Sequence, residues 1–179
     1  AGANLSTPNV PTGLDGDQVS AESTITTKIS TQPTLRQTVY ANDPAFGASG
    51  PTPPQVGQKT MYTIHWILTN PGNDVSGATV KAVLPPGVTW EDNASTGAGQ
   101  PQPVFDRTRS EISWPIGTLP QGTGTLSPKY EGTFRVSITP TAAQRGSTMQ
   151  LVKGAVFSGT DSFTKQNILT QSLDITTGQ

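Results

Sequence analysis

The most constraining feature of this sequence is an alternating run at residues 59–70 that ends in a proline–glycine turn signal. The bulkier side chains occupy one phase of the alternation: Tyr62, Ile64, Trp66 and Leu68. Because successive side chains of a β-strand point to opposite faces, the run predicts a half-buried strand with those four side chains in a core. No window of the sequence shows the 3.6-residue period of a helix, except for a short turn expected near residues 141–145.

Further short runs of the same period recur along the chain, separated by turn residues. They lie at residues 24–31, 34–41, 75–84, 130–139 and 149–157, and the chain contains 16 prolines and 19 glycines to punctuate them. The 28 threonines are β-branched and suit a pleated, half-exposed surface. We therefore predict an all-β fold, an immunoglobulin-like sandwich of two sheets. The predicted core consists of Tyr62, Ile64, Trp66, Leu68, Val80, Leu84, Ile112, Trp114, Phe134, Val136 and Ile138.

The chain of 179 residues is long enough for one sandwich and a tail. Residues 1–20 have no periodicity and few large apolar side chains, so we predict an extended N-terminal arm there and a sandwich over residues 21–179. Three segments rich in proline, glycine and polar residues are predicted as loops: residues 42–58, 91–103 and 117–128.

Charge and composition argue against several classes of protein. Only 13% of residues are charged and the formal net charge is −1, whereas a nucleic-acid-binding face must be basic to neutralise phosphates. The chain contains no cysteine, so thiol nucleophiles, thiolate metal sites and disulfides are absent. No apolar run approaches the roughly 20 residues that span a bilayer, so no membrane span is predicted.

Two neighbouring segments resemble a known surface module. Residues 62–72 read YTIHWILTNPG, residues 78–87 read ATVKAVLPPG, and ISWPIGTL follows at residues 112–119. This pattern resembles the conserved-repeat immunoglobulin-like module of prokaryotic surface proteins (domain of unknown function eleven), over roughly residues 34–160. The resemblance implies an extracellular, cell-surface β-sandwich that serves as a spacer, stalk or assembly unit, without established catalytic residues.

The residues alone give no chemistry that would identify an enzyme. His65 is the single histidine, and we expect an ordinary strand residue that faces outward or towards a covering loop. A serine nucleophile would need an elbow motif that is missing, and the twelve carboxylates are scattered. We therefore predict no catalytic residue, no cofactor and no metal ligand, although loop carboxylates converging on calcium stay an alternative.

Two kinds of covalent modification are left open by the sequence. Some surface domains close a lysine–asparagine isopeptide bond beside a buried acid, and Lys28, Asn167 and Glu131 are the candidates here. The tripeptides beginning at Asn4 and Asn93 match the N-glycosylation acceptor.

The arm and the two chain ends suggest how copies could assemble. Ile25-Thr26-Thr27 recurs as Ile175-Thr176-Thr177, which suits a last strand of one unit meeting the start of the next. The residues predicted to mediate assembly are Ile25, Thr27, Ile29 and Ile175. We thus predict an exported structural module that assembles end to end with copies of itself or with adjacent modules, with strand addition as one route. The alternative is an adhesin-type module that binds a glycan or a host receptor through its loops.

Overall fold

The computed structural model describes residues 24–97 and 99–178, and almost all of its regular structure is β-strand. The strands are β1 (Thr34–Tyr40), β2 (Asn42–Asp43), β3 (Gly47–Ala48), β4 (Thr60–Thr69), β5 (Val75–Val83), β6 (Val88–Thr96), β7 (Val104–Asp106), β8 (Glu111–Leu119), β9 (Tyr130–Ile138), β10 (Gln150–Val152), β11 (Val156–Asp161), β12 (Asn167–Gln171) and β13 (Ile175–Thr176). One 3₁₀ turn, Ala142–Gln144, lies where a short helical turn was predicted.

Two antiparallel sheets form the sandwich. The four-stranded sheet has the order β1-β4-β9-β6, and the five-stranded sheet has the order β12-β11-β5-β8-β7. Two small antiparallel pairs of strands, β2-β3 and β10-β13, complete the fold. The two-sheet, immunoglobulin-like sandwich predicted from the alternating runs is confirmed.

The predicted core is also confirmed, because all eleven of its residues are buried between the sheets. The largest side chains meet at the centre, where Trp66 packs edge-on against Phe134 with ring centroids 4.9 Å apart. Trp90 stacks on Phe134 at 5.2 Å and on Phe105 at 5.5 Å, so β6 and β7 close the core along one side.

The strand registers define two opposite ends of the sandwich. β1 begins with Thr34 opposite Thr69, next to the turn at residues 70–73, and we call this the Asn70 end. β9 finishes with Ile138 opposite Thr60 and Val88, next to Pro140, and we call this the Pro140 end.

Two of the predicted loops differ from the structure. Residues 91–96 belong to strand β6, which pairs with β9 after a bulge between Trp90 and Ala94. Asp92 adopts a positive φ of 48° within this bulge, and the exposed polar side chains there gave no apolar alternation by which the strand could be recognised. Residues 117–119 likewise extend strand β8.

The loop at residues 42–58 folds over the outer face of the four-stranded sheet. Its hairpin β2-β3 packs on β4, and Gly57 N–H donates to the carbonyl oxygen of Pro140 at 2.9 Å. Thr63 faces outward on β4 and is nevertheless buried. The outer face of the five-stranded sheet has no such cover within the described ranges.

Candidate assembly site

Residues 24–33, which precede the first strand, do not form a strand themselves. The strand predicted at residues 24–31 from the alternation of Ile25, Thr27 and Ile29 is therefore wrong. These three side chains are exposed, Ile25 to 86% and Ile29 to 78%. Alternation alone produces a strand only where an open sheet edge is adjacent, and this segment instead runs past the turn that joins β11 to β12.

A cluster of polar side chains fastens this segment to the Asn70 end. The backbone N–H of Thr31 donates to Asp161 Oδ2 at 2.7 Å, and Asn73 Nδ2 donates to the same oxygen at 3.0 Å. Asn73 Nδ2 also donates to the carbonyl oxygen of Ile29 at 2.8 Å. We call Thr31, Asn70, Asn73 and Asp161 the N-terminal clip.

Asp161 is the centre of the clip and is fully buried. Burial alone would raise the pKa of this carboxyl, but hydrogen bonds from Asn73 and from the N–H groups of Thr164, Thr31 and Phe163 outweigh it and hold the pKa well below its usual range. A buried carboxylate with this many donors is stable as an anion, so the clip needs no counter-ion.

The side chain of Thr31 packs against Asn70 and Gly72. Thr31 Oγ1 donates to Asn70 Oδ1 at 2.5 Å, while Asn70 Nδ2 donates to the carbonyl oxygens of residues 73, 119 and 120. A side chain on Gly72 would place Cβ 2.6 Å from Thr31 Oγ1. The turn that the sequence predicts at residues 70–73 therefore also binds the segment that precedes β1.

The chain leaves the sandwich at the opposite end. Ile175 pairs with Val152 in the β10-β13 pair, and Thr177 N–H donates to the carbonyl oxygen of Met149 at 2.9 Å. Ile175 is buried in the core of its own sandwich, so its side chain is not available to a neighbouring copy in this structure. The entry and exit of the described chain lie at the Asn70 end and the Pro140 end, respectively.

An open groove runs between the two sheets on the side of β1. It has a volume of about 610 Å³ and is lined by β1 and by residues 171–175. One bond crosses it, from Gln37 Nε2 to the carbonyl oxygen of Leu173 at 2.8 Å. Within the described part of the chain, β1 has a strand neighbour only on its β4 side, so its other edge faces this groove.

A charged cluster that the sequence did not reveal fastens the 42–58 loop to the sheet. His65 Nε2 lies 2.7 Å from Asp43 Oδ2, and His65 Nδ1 lies 2.7 Å from Glu131 Oε1. Burial opposes ionisation of both acids, but the hydrogen bonds with His65 lower the pKa of Asp43 and of Glu131. Each nitrogen of the ring is therefore in hydrogen-bond contact with a carboxylate oxygen. His65 thus faces a covering loop, as expected.

The residues considered for an isopeptide bond are not brought together around a buried acid. Lys28 Nζ lies over the Phe163 ring, 4.9 Å from its centroid, and Asn167 is exposed on β12. Glu131 lies on the other sheet, where it binds His65 and Lys129. The geometry does not support this cross-link.

Other modification and ligand sites receive little support. Asn93 is exposed on β6, and Asn4 lies outside the described residues. Among residues 24–97 and 99–178, no three histidine or acidic side chains are grouped so that they could hold a metal ion. The same ranges contain no helix long and apolar enough to cross a membrane.

The three loops predicted from the sequence do not present an aromatic side chain on which a sugar could stack. Phe46 is half-buried, with Arg135 lying 5.7 Å above its ring, and Trp90 is buried in the core. The predicted glycan-binding alternative therefore lacks its candidate residues.

Comparison with known proteins supports the architecture. No family model and no curated protein matches the sequence. Among solved structures, the chain is similar to a variant of BcpA, the major pilin subunit of Bacillus cereus, with a TM-score of 0.50 and 12% identity over 81% of this chain and 40% of that one. It is also similar to the full-length major pilin SpaD of Corynebacterium diphtheriae, with a TM-score of 0.47 and 10% identity over 81% of this chain and 34% of that one. At these identities the likeness concerns the fold, and the chain spans well under half the length of either pilin.

Proposed function

We propose that this chain is a structural module of an extracellular fibre, stalk or surface layer on a bacterial cell, and that copies or adjacent modules join end to end. The observation that carries the proposal is where the described chain joins the sandwich and where it leaves it. The N-terminal clip holds the entering chain at the Asn70 end, and the exit beside Met149 lies at the Pro140 end. Modules linked through opposite ends form a line, whereas modules linked through one end cannot.

Three further features support the same role. The fold is similar to that of a major pilin subunit, the sequence resembles the conserved-repeat immunoglobulin-like surface module, and the surface is rich in hydroxyl groups and poor in charge. A catalytic role has no corresponding support, since the one histidine is held between two carboxylates beneath a loop.

Strand addition between copies is the finer part of the proposal. The free edge of β1, with the groove beside it, is the acceptor, because an extended segment there gains backbone hydrogen bonds. The donor is the chain before Lys28, since residues 28–31 are already committed to the clip of their own sandwich. Of the four predicted assembly residues, Ile25 and Thr27 lie in this donor region.

Electron microscopy of negatively stained protein tests the proposal. The full chain should form filaments or lattices, and a variant lacking residues 1–27 should not, while its melting temperature stays within a few degrees because the clip is retained. A chain in which residues 1–27 are replaced by a glycine–serine sequence of equal length controls for tether length. Filaments formed equally by all three proteins contradict strand addition, and particles that stay single for the full chain contradict the module proposal.

A further inference from the structure

The outer face of the five-stranded sheet is uncovered within the described ranges. The four-stranded sheet is covered by the chain's own 42–58 loop, but no comparable segment lies over β5, β8 and β11. Outward-facing apolar side chains are exposed on this surface, with Leu169 at 75%, Val104 at 55% and Val83 at 39%. An antiparallel sheet commonly leaves one face to solvent, and the apolar side chains exposed there are available to another surface.

The strand registers align the outward side chains in cross-strand rows. One row is uncharged and consists of Leu169, Ser158, Thr79 and Pro115. The next row consists of Gln171, Val156, Lys81, Ser113 and Val104. Its single charge, Lys81, is neutralised by Glu111 at 2.8 Å. These two rows are therefore balanced in charge, and most of their side chains are short.

We propose that this face packs laterally on the same face of a second copy. The charge pattern favours a copy of this chain over an acidic or basic partner, because a face that balances its own charges does not repel itself. Sheets that pack face to face interdigitate short side chains at about 10 Å, which serine, threonine and valine rows permit. The contact is distinct from the end-to-end one, since it lies on the side of the sandwich.

The size of the face sets the strength of the contact. At roughly 16 Å² of sheet per residue, the five strands present about 500 Å², so a pair buries about 1,000 Å². That is near the lower limit of specific interfaces and implies weak association of single modules. In a row of modules the contacts repeat, and avidity makes lateral pairing of two rows much tighter than pairing of two modules.

Because the natural chain contains no cysteine, single-cysteine variants test the contact directly. Ser158→Cys places a thiol in the middle of the face, and Ser95→Cys, at a half-buried serine on the outer side of β6 in the other sheet, is the matched control. A bismaleimide that spans about 10 Å should convert the Ser158→Cys full chain to covalent dimers at least fivefold faster than the control. Adding Leu169→Lys to Ser158→Cys should remove that difference, since like charges then meet across the contact, with melting temperature reported for every variant.

Three outcomes overturn the proposal. Equal cross-linking of the two cysteine variants shows random collision, and unchanged cross-linking in the presence of Leu169→Lys places the contact elsewhere. If the protein is found only as monomers at millimolar concentration, the face does not bind itself. None of these results depends on filaments, so failure of the lateral contact is distinguishable from failure of the end-to-end assembly.

Discussion

Gly132 lies directly against Trp114 across the sandwich. A Cβ built on Gly132 would stand 3.0 Å from two carbon atoms of the indole and 3.1 Å from a third. The indole is fully buried, and its Nε1 donates to the carbonyl oxygen of Pro101 at 2.8 Å. A larger side chain at this position would force the ring to shift by a few tenths of an ångström, and the bond to Pro101 opposes that shift.

The first prediction follows from that contact. Gly132→Ala should lower the free energy of unfolding by about 1–3 kcal/mol, because one methyl group overpacks a filled core. Urea denaturation followed by tryptophan fluorescence measures the change. Gly97→Ala is the matched control, since its nearest neighbour is a flexible glutamine side chain at 3.4 Å, and its effect should be close to zero. Equal effects of the two variants would show that the Trp114 contact is not as described.

The second prediction concerns Trp66, which is fully buried between the sheets and edge-on to Phe134. Trp66→Ala should cost about 3–5 kcal/mol, since it leaves a cavity and strands the Gln37 oxygen that now accepts from Trp66 Nε1. Chemical denaturation monitored by far-ultraviolet circular dichroism is the measurement. Leu126→Ala, at a side chain that is 89% exposed, should change stability by less than about 0.5 kcal/mol. A loss below about 1 kcal/mol for Trp66→Ala is incompatible with the register of β4.

The core could be predicted from the sequence because period-two alternation is a local signal. The alternating segments at residues 62–68 and 134–138 each indicate which side chains point inward without reference to any other segment, and every inward side chain is buried. The same reasoning failed at Ile25 and Ile29, where the pattern is present but the segment pairs with no strand. Alternation specifies which side chains share a face, and pairing decides whether a strand forms.

The clip and the His65 cluster could not be predicted because their members are distant in sequence. Thr31 and Asp161 are 130 residues apart, and the donor on Thr31 is a backbone N–H that any residue except proline carries. His65, Asp43 and Glu131 meet only because the 42–58 loop folds back over the sheet. No spacing rule connects a strand histidine to a loop aspartate 22 positions earlier.

The third prediction uses the clip and has a defined sign. The pKa of Asp161 is lower in the folded chain than in the unfolded chain, so the unfolded state binds more protons in acid. The clip's contribution is therefore complete above the ordinary aspartate pKa of about 3.9 and is lost as the pH falls below it. Asp161→Asn should melt at a lower temperature than the natural chain at pH 7, and the difference should shrink towards pH 2.5. Asp43, Glu91 and Glu131 also have lowered pKa values, so both proteins retain some acid sensitivity. A difference that is constant from pH 7 to pH 2.5 would contradict the assignment.

The fourth prediction is that folding requires no metal ion. At the Asn70 end, both carboxylate oxygens of Asp161 accept hydrogen bonds from N–H groups. They are therefore not available as ligands for a cation. Addition of 5 mM EDTA should shift the melting temperature by less than about 1 °C, measured by differential scanning fluorimetry against a buffer of matched ionic strength. A fall of ten degrees or more would instead implicate the loop carboxylates as ligands.

The last prediction separates the charge interaction of Asp43 from its role in a turn. Asp43 Oδ1 accepts from the N–H groups of Ala45 and Phe46, and Oδ2 pairs with His65. Asp106 accepts from Thr108 and Arg109 in the same way but is exposed and has no histidine partner. Asp43→Ala should cost roughly 3 kcal/mol, because it removes a buried carboxylate with three hydrogen-bond partners and leaves one nitrogen of His65 without its partner beneath the loop. Asp106→Ala loses only exposed contacts and should cost less than about 1 kcal/mol.

Hydrogen exchange is the measurement. It should show that residues 42–58 open in Asp43→Ala while β5 and β8 stay protected. Equal costs for the two variants would mean that the turn alone stabilises this loop.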